Sequence, residues 1–221
     1  MTSPLPPETA AAAGDAEEPR GVVYVVDDDE AVRDSLQYLL EASRYQVRTY
    51  ASAEAFLQDF DPQAIAVLIL DVRMPGKSGL QLQDELLARK ARLPIVFITG
   101  HGDVPMAVST MKKGAADFIE KPFNQADLKA LVERLLVQAR ERAAAAERQR
   151  MNEALLARLT PREQQVLERI VAGRLNKQIA DDLGIAIKTV EAHRAKIMDK
   201  LQANTVADLM RVALASGSGS G

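Results

Sequence analysis

The chain has 221 residues, enough for one large domain or two ordinary ones. Apolar residues make up 47% and charged residues 27%, the balance of a globular protein, and the absence of cysteine excludes disulfides, thiolate metal sites and cysteine nucleophiles. The net charge is only −3 but uneven: residues 151–221 carry 10 Lys+Arg against 8 Asp+Glu and the remainder 18 against 23, a weak sign of DNA binding at the C-terminal end. No apolar run approaches the ~20 residues that span a bilayer. The N-terminal segment lacks the basic region and apolar core of a signal peptide, so the cytoplasm is the expected compartment and no membrane contact is expected.

Residues 1–20, rich in Pro, Ala and acids, read as a disordered tail. From Val22 short apolar, β-forming runs alternate with amphipathic stretches. The runs are 22–26, 46–50, 65–70, 94–98 and 116–119, and the helical stretches are 30–43, 53–60, 79–91, 104–113 and 125–140. Ser78 with Gln81 fits a capping box, and Asn124 can cap the helix after Pro122. Five such units in a row predict a doubly wound α/β domain over 21–139, with a five-stranded parallel sheet of flavodoxin-like type. No Gly or Pro occurs between Pro122 and Pro161, and RERAAAAERQR is strongly helix-forming. One continuous helix could fill the stretch between Pro122 and Pro161 and act as a spacer of up to ~57 Å at 1.5 Å per residue, with 140–158 as the helical linker. The alternative is a solvated, partly frayed linker.

From Thr160 the pattern is all helical. Thr160-Pro161-Arg162-Glu163 joins a capping box to Pro at the first helical position. Helices are predicted over 161–173, 176–183, 187–201 and 205–214, an all-α four-helix domain spanning 159–215, with Thr205 and Asp208 capping the last. Gly173 and Gly184 punctuate the first two. The final SGSGSG, 216–221, reads as a flexible tail.

In an open parallel sheet ligands bind beyond the C-terminal strand ends. Here those ends carry Asp27-Asp28, Asp71, Thr99-Gly100 and Glu120-Lys121-Pro122. A lone Asp after a strand is usually a helix cap and a lone Lys-Pro a turn, but all of them together, each at its own strand end, are much harder to explain so. Crowded carboxylates resist joint ionisation, which a divalent cation relieves, and oxygen ligands without His or Cys favour Mg²⁺ or Mn²⁺. A carboxylate there can attack a phosphoryl group to form an acyl phosphate, with cation, Lys and hydroxyl neutralising the transferring oxygens.

VVDDDEAVR, LILDVRMPGKSGL, VFITGHGDVPMAV and GAADFIEKPF, within about residues 21–140, resemble the receiver domains of bacterial two-component response regulators, the FixJ type above all. The resemblance implies Asp71 as phosphoacceptor, Mg²⁺ on Asp27, Asp28, Asp71 and the carbonyl of Arg73, and Thr99 and Lys121 gripping the phosphoryl group. It places Phe118 at an aromatic switch position and makes Lys121-Pro122 often cis. It also implies dimerisation around Val108, Lys112 and Phe118, and a histidine kinase as donor. A phosphatase or mutase working through an aspartyl phosphate commonly has a second Asp two residues after the nucleophile; that position is Arg73 here, which argues against turnover.

The pair 176–183 and 187–201 has helix-turn-helix form. Val190, Ile197 and Leu201 share one face of the second helix and are expected to be buried. The opposite face carries Lys188, Ala192 and Ala195, flanked by Thr189, Glu191 and Lys196. Ala can meet a thymine methyl and Glu can accept from cytosine. Lys196, Arg194, His193 and Lys177, with the Asn176 end, are candidates for phosphate contacts. Periodicity alone fits a protein-interaction domain as well. The stretch LTPREQQVLERIVAGRLNKQIADDLGIAIKTVEAHRAKIMDKL, however, is similar throughout to the LuxR-type (NarL/FixJ) domain, which implies promoter DNA and RNA polymerase as partners. It departs from that family at Ala186-Ile187, where Ser-Pro is usual, so the second helix loses its N-cap side chain.

Overall fold

A computed structural model of the chain describes residues 21–100 and 104–215. The two expected tails, and His101 to Asp103, lie outside those residues. The chain divides between Ala139 and Arg140 into two compact units.

The first unit alternates strand and helix: β1 (Val22–Val26), α1 (Glu30–Glu41), β2 (Gln46–Tyr50), α2 (Ala53–Asp59), β3 (Ala66–Leu70), α3 (Gly79–Ala88), β4 (Ile95–Thr99), α4 (Val104–Lys112), β5 (Asp117–Glu120) and the start of α5 (Gln125–Leu156). The strands form one parallel sheet in the order β2-β1-β3-β4-β5. Because side chains alternate along a strand, the sheet has two apolar faces and helices on both. Val23, Val25, Val67, Ile69, Val96 and Ile98 pack against Leu36 and Leu40 of α1 and Leu128, Val132 and Leu136 of α5. Tyr24, Val26, Leu68, Leu70 and Phe97 pack against Phe56 of α2 and Leu82 and Leu86 of α3. Strands β3 and β4 are buried along their whole length, whereas β2 and β5, at the edges, are half-buried or exposed.

The caps read from the sequence are present. Ser78 and Gln81 bond reciprocally, and Asn124 accepts from the Ala126 N–H at 2.8 Å. Several helices stop earlier than periodicity predicts: α1 at Glu41, α3 at Ala88, α6 (Pro161–Val171) at Val171. The cause is a residue in the left-handed region just beyond each end: Arg44 at φ 63°, Lys90 at φ 55°, Gly173 at φ 75°. At Lys90 the turn closes with bonds from Lys90 N–H to the Leu87 carbonyl and from Ala91 N–H to that of Leu86, satisfying the last carbonyls of α3.

Helix α5 runs unbroken from Gln125 to Leu156, within the segment without Gly or Pro. The second unit contains α6, α7 (Asn176–Leu183), α8 (Ile187–Lys200) and α9 (Val206–Ala215). Its core is Val166, Leu167, Ile170, Ile179, Val190, Ile197, Leu201 and Leu209. Thr160 and Glu163 form the expected capping box of α6. The same Glu163 oxygen also accepts from Lys200 Nζ at 2.6 Å, tying the first turn of α6 to the last residue of α8. Glu163 is 3% exposed. Lys200 and the Thr160 amide hold its carboxyl well below the usual range, at about 2.

A carboxyl depressed in the folded state stabilises that state above its ordinary value near 4.5 and loses the contribution as pH falls toward about 2. The second unit is therefore expected to lose on the order of 3 kcal/mol between about pH 5 and pH 2 from this group, at ~1.4 kcal/mol per unit. Calorimetry of the full chain across this range checks it. Lys200→Met is expected to flatten most of that dependence.

Candidate functional site

The carboxyl edge of the sheet gathers charges from distant parts of the chain. Strand β1 ends at Val26 and delivers Asp27, and β3 ends at Leu70 and delivers Asp71. The ladder continues one step past the strands, with the Asp71 N–H donating to the Val26 carbonyl at 2.8 Å and that of Asp27 to Tyr50 at 3.2 Å. Two strands whose side chains are almost all buried thus fix two acids side by side. Asp27 is 4% exposed, Asp71 8% and Thr99, the last residue of β4, 1%.

Lys121, just after β5, closes the site. Its ammonium lies 2.9 Å from Asp27 Oδ2 and 3.6 Å from Asp71 Oδ1. Its backbone N–H donates to the Thr99 carbonyl at 2.8 Å, and the Lys121-Pro122 bond is cis. The other oxygens are held locally: Asp27 Oδ1 accepts from the Asp29 N–H at 2.9 Å and Asp71 Oδ2 from the Arg73 N–H at 2.6 Å. Asp29 is the N-cap of α1, accepting from the Ala31 N–H, so of the three consecutive acids this one is the ordinary helix cap. Asp28 is exposed beside Asp27.

Burial pushes the Asp71 carboxyl above its usual range. The Arg73 amide works against that shift, Asp27 adds to it, and Lys121 opposes it. Among the described residues no three acids or histidines close into a ready-made metal cage. The residues nevertheless fit Mg²⁺. They are all-oxygen donors, and a buried carboxylate crowded by two others is what an added cation relieves.

Two participants escaped the sequence reading. A Cβ built on Gly79, the first residue of α3, would lie 2.1 Å from the Asp71 carbonyl oxygen, so only glycine lets the helix start there. The Gly79 N–H donates to the Val72 carbonyl at 3.0 Å. The signal was present in the quoted GKSGL. Arg33 of α1 donates through Nη1 to the carbonyls of Asp27 and Asp28 at 2.8 and 3.0 Å.

On the same unit Phe118 is half-buried on β5, its ring 6.4 Å from that of Phe97. Val108 and Lys112 are exposed on α4. In the second unit Gly184, at φ 62°, makes the tight turn between α7 and α8. Val190, Ile197 and Leu201 are buried. Lys188, Thr189, Glu191, Ala192, Ala195 and Lys196 are exposed on α8, His193 and Arg194 are half-buried, and Lys177 is exposed on α7. Ala186 is the N-cap of α8, in extended geometry and with no side-chain acceptor.

Residues 23–133 match the family described as response regulator receiver domain, and residues 157–213 the bacterial regulatory proteins of the luxR family. The transcriptional regulatory protein FixJ of Azorhizobium caulinodans is 47% identical, covering 88% of this chain and 92% of its own length. The response regulator protein TmoT of Ectopseudomonas mendocina is 44% identical over 86% of this chain and 87% of its own. Among solved structures the response regulator StyR superposes with a TM-score of 0.81 at 46% identity, over 87% of this chain and 98% of its own. Full-length FixJ from B. japonicum gives 0.56 at 40% identity, over 91% and 100%.

Gly79→Ala is expected to destabilise the first unit by ~2 kcal/mol, since a methyl forced against a backbone carbonyl overpacks the site; thermal unfolding measures it. Ala186→Ser is expected to stabilise the second unit by ~1 kcal/mol by supplying the missing cap of α8, read as a raised C-terminal transition in calorimetry.

Proposed function

The chain belongs to the FixJ-type two-component response regulators, with a receiver domain and a LuxR-type helix-turn-helix domain, and on that premise we propose that phosphorylation of Asp71 by a histidine kinase drives dimerisation and promoter binding, with activation as the outcome. In domain terms, 21–139 is the receiver, 140–158 the helical linker and 159–215 the DNA-binding domain. The observation that carries the reading is the buried Asp71 facing Asp27 with Lys121 set between them.

An Asp71 oxygen attacks the phosphorus of a phosphohistidine, the new O–P bond forms, the P–N bond breaks and the imidazole keeps the electron pair. Asp27, Asp28, Asp71 and the Arg73 carbonyl would hold Mg²⁺. Bound there, the ion supplies charge neutralisation for the transferring oxygens. Lys121 and Thr99 then turn toward the phosphoryl group. The movement of Thr99 frees space for Phe118 to turn inward, which reshapes the surface around Val108 and Lys112 on α4.

A dimer through α4, β5 and α5 brings two recognition helices to a two-fold operator. Lys188, Thr189, Glu191, Ala192 and Ala195 face the bases, while Lys177, His193, Arg194 and Lys196 take phosphates. Two tethered sites gain effective concentration, worth on the order of 100-fold in DNA affinity. RNA polymerase is the expected further partner, and the cytoplasm the compartment.

Treatment with acetyl phosphate and Mg²⁺ tests the reading. Mass spectrometry is expected to show a gain of about 80 Da, one phosphoryl group, on wild type and none on Asp71→Asn. In sedimentation the phosphorylated wild type dimerises, while Val108→Asp takes the phosphoryl group and stays monomeric. A full adduct on Asp71→Asn defeats the phosphoacceptor assignment. A phosphorylated monomer with raised DNA affinity replaces dimerisation by release of an inhibited DNA-binding domain.

A further inference from the structure

We infer that Arg33 is a positioning residue for Asp28: its guanidinium pins the peptide planes on either side of Asp28 and so sets where that carboxylate is presented to Mg²⁺, beside the separately anchored Asp27. The inference rests on the proposed phosphoacceptor site and adds a residue that touches neither the phosphoryl group nor the cation.

The geometry is specific. One nitrogen, Arg33 Nη1, donates to two carbonyl oxygens, that of Asp27 at 2.8 Å and that of Asp28 at 3.0 Å. These carbonyls belong to the two peptide planes that flank Asp28. A plane whose oxygen is held by a cation cannot rotate freely, and two held planes fix both soft dihedrals of the residue between them. The direction in which the Asp28 carboxylate leaves the chain is then set. Asp27 and Asp29 have anchors of their own: the Asp27 carboxylate takes the Asp29 N–H and the Lys121 ammonium, and the Asp29 side chain caps α1. The exposed Asp28 is steadied chiefly through its backbone.

Arg33 suits the task. It stands in the first turn of α1, and its own N–H donates to the Asp29 carbonyl at 3.1 Å, so the helix that Asp29 caps also fixes the base of the arginine. A guanidinium has only donors and stays charged at every working pH, so it holds carbonyls without competing for the cation.

Isothermal titration of Mg²⁺ into the full-length wild type, Arg33→Ala, Arg33→Lys, Asp28→Ala and the Arg33→Ala/Asp28→Ala double variant tests this. Arg33→Ala is expected to weaken Mg²⁺ binding roughly 10-fold, the size of effect seen when a residue supporting metal ligands is lost, and Arg33→Lys to recover part of it. At saturating Mg²⁺ the rate of phosphorylation by acetyl phosphate stays close to wild type, a split that general unfolding would not give. If Arg33 acts through Asp28, its removal costs little more in the Asp28→Ala background. Wild-type Mg²⁺ affinity in Arg33→Ala, or fully additive losses in the double variant, overturns the inference. A wild type that binds Mg²⁺ but takes no phosphoryl group would instead sink the phosphoacceptor reading and leave the Mg²⁺ comparison standing.

Discussion

The ammonium of Lys121 sits 2.9 Å from Asp27 and 3.6 Å from Asp71, and the first unit is arranged around keeping it there. Two nearly buried carboxylates side by side repel each other and lose hydration; a cation between them offsets both costs. The ammonium follows β5, at the edge of the sheet, and the acids follow β1 and β3, so the site exists only when the ladder from β1 through β3 and β4 to β5 is formed. Burial, with Asp27 adding to it, still holds the Asp71 carboxyl above its ordinary range despite the Arg73 amide and Lys121.

The second unit uses the same device for a different end. Glu163 closes the capping box of α6 and also receives Lys200 from the far end of α8. One carboxylate therefore satisfies a helix N-terminus and anchors the last residue of α8. The other end of α8 is less well held, because Ala186 offers its orphan amides no acceptor. Stability in the helix-turn-helix is thus weighted toward the C-terminal end of α8, while its N-terminal half carries Lys188, Thr189, Glu191 and Ala192 on an exposed surface.

Much of the fold was legible because its signals are local. Short apolar runs at regular spacing give the strands, Ser78, Asn124, Thr160 and Thr205 announce helix starts, and the family resemblance covers both units. Several helix ends were not legible. Arg44, Lys90 and Gln202 adopt the left-handed conformation that usually announces itself as glycine, so nothing in the residue types marked the stop. Gly79 escaped for the opposite reason: a glycine before a helical run looks like an ordinary turn, and its use is apparent only when the Asp71 carbonyl is found where its side chain would be.

By itself the sequence determined which chemistry was available and roughly where. A strand period of two and a chain of β/α units commit Asp27, Asp28, Asp71, Thr99 and Lys121 to one edge, because parallel strands all end on the same side. It did not determine how these groups share the edge. Asp27 is buried and paired while its neighbour Asp28, at the bend between β1 and α1, is exposed. The pairing of Lys121 with Asp27 joins residues 94 positions apart. Its strength depends on separation and burial, and both are properties of the packed sheet rather than of either residue.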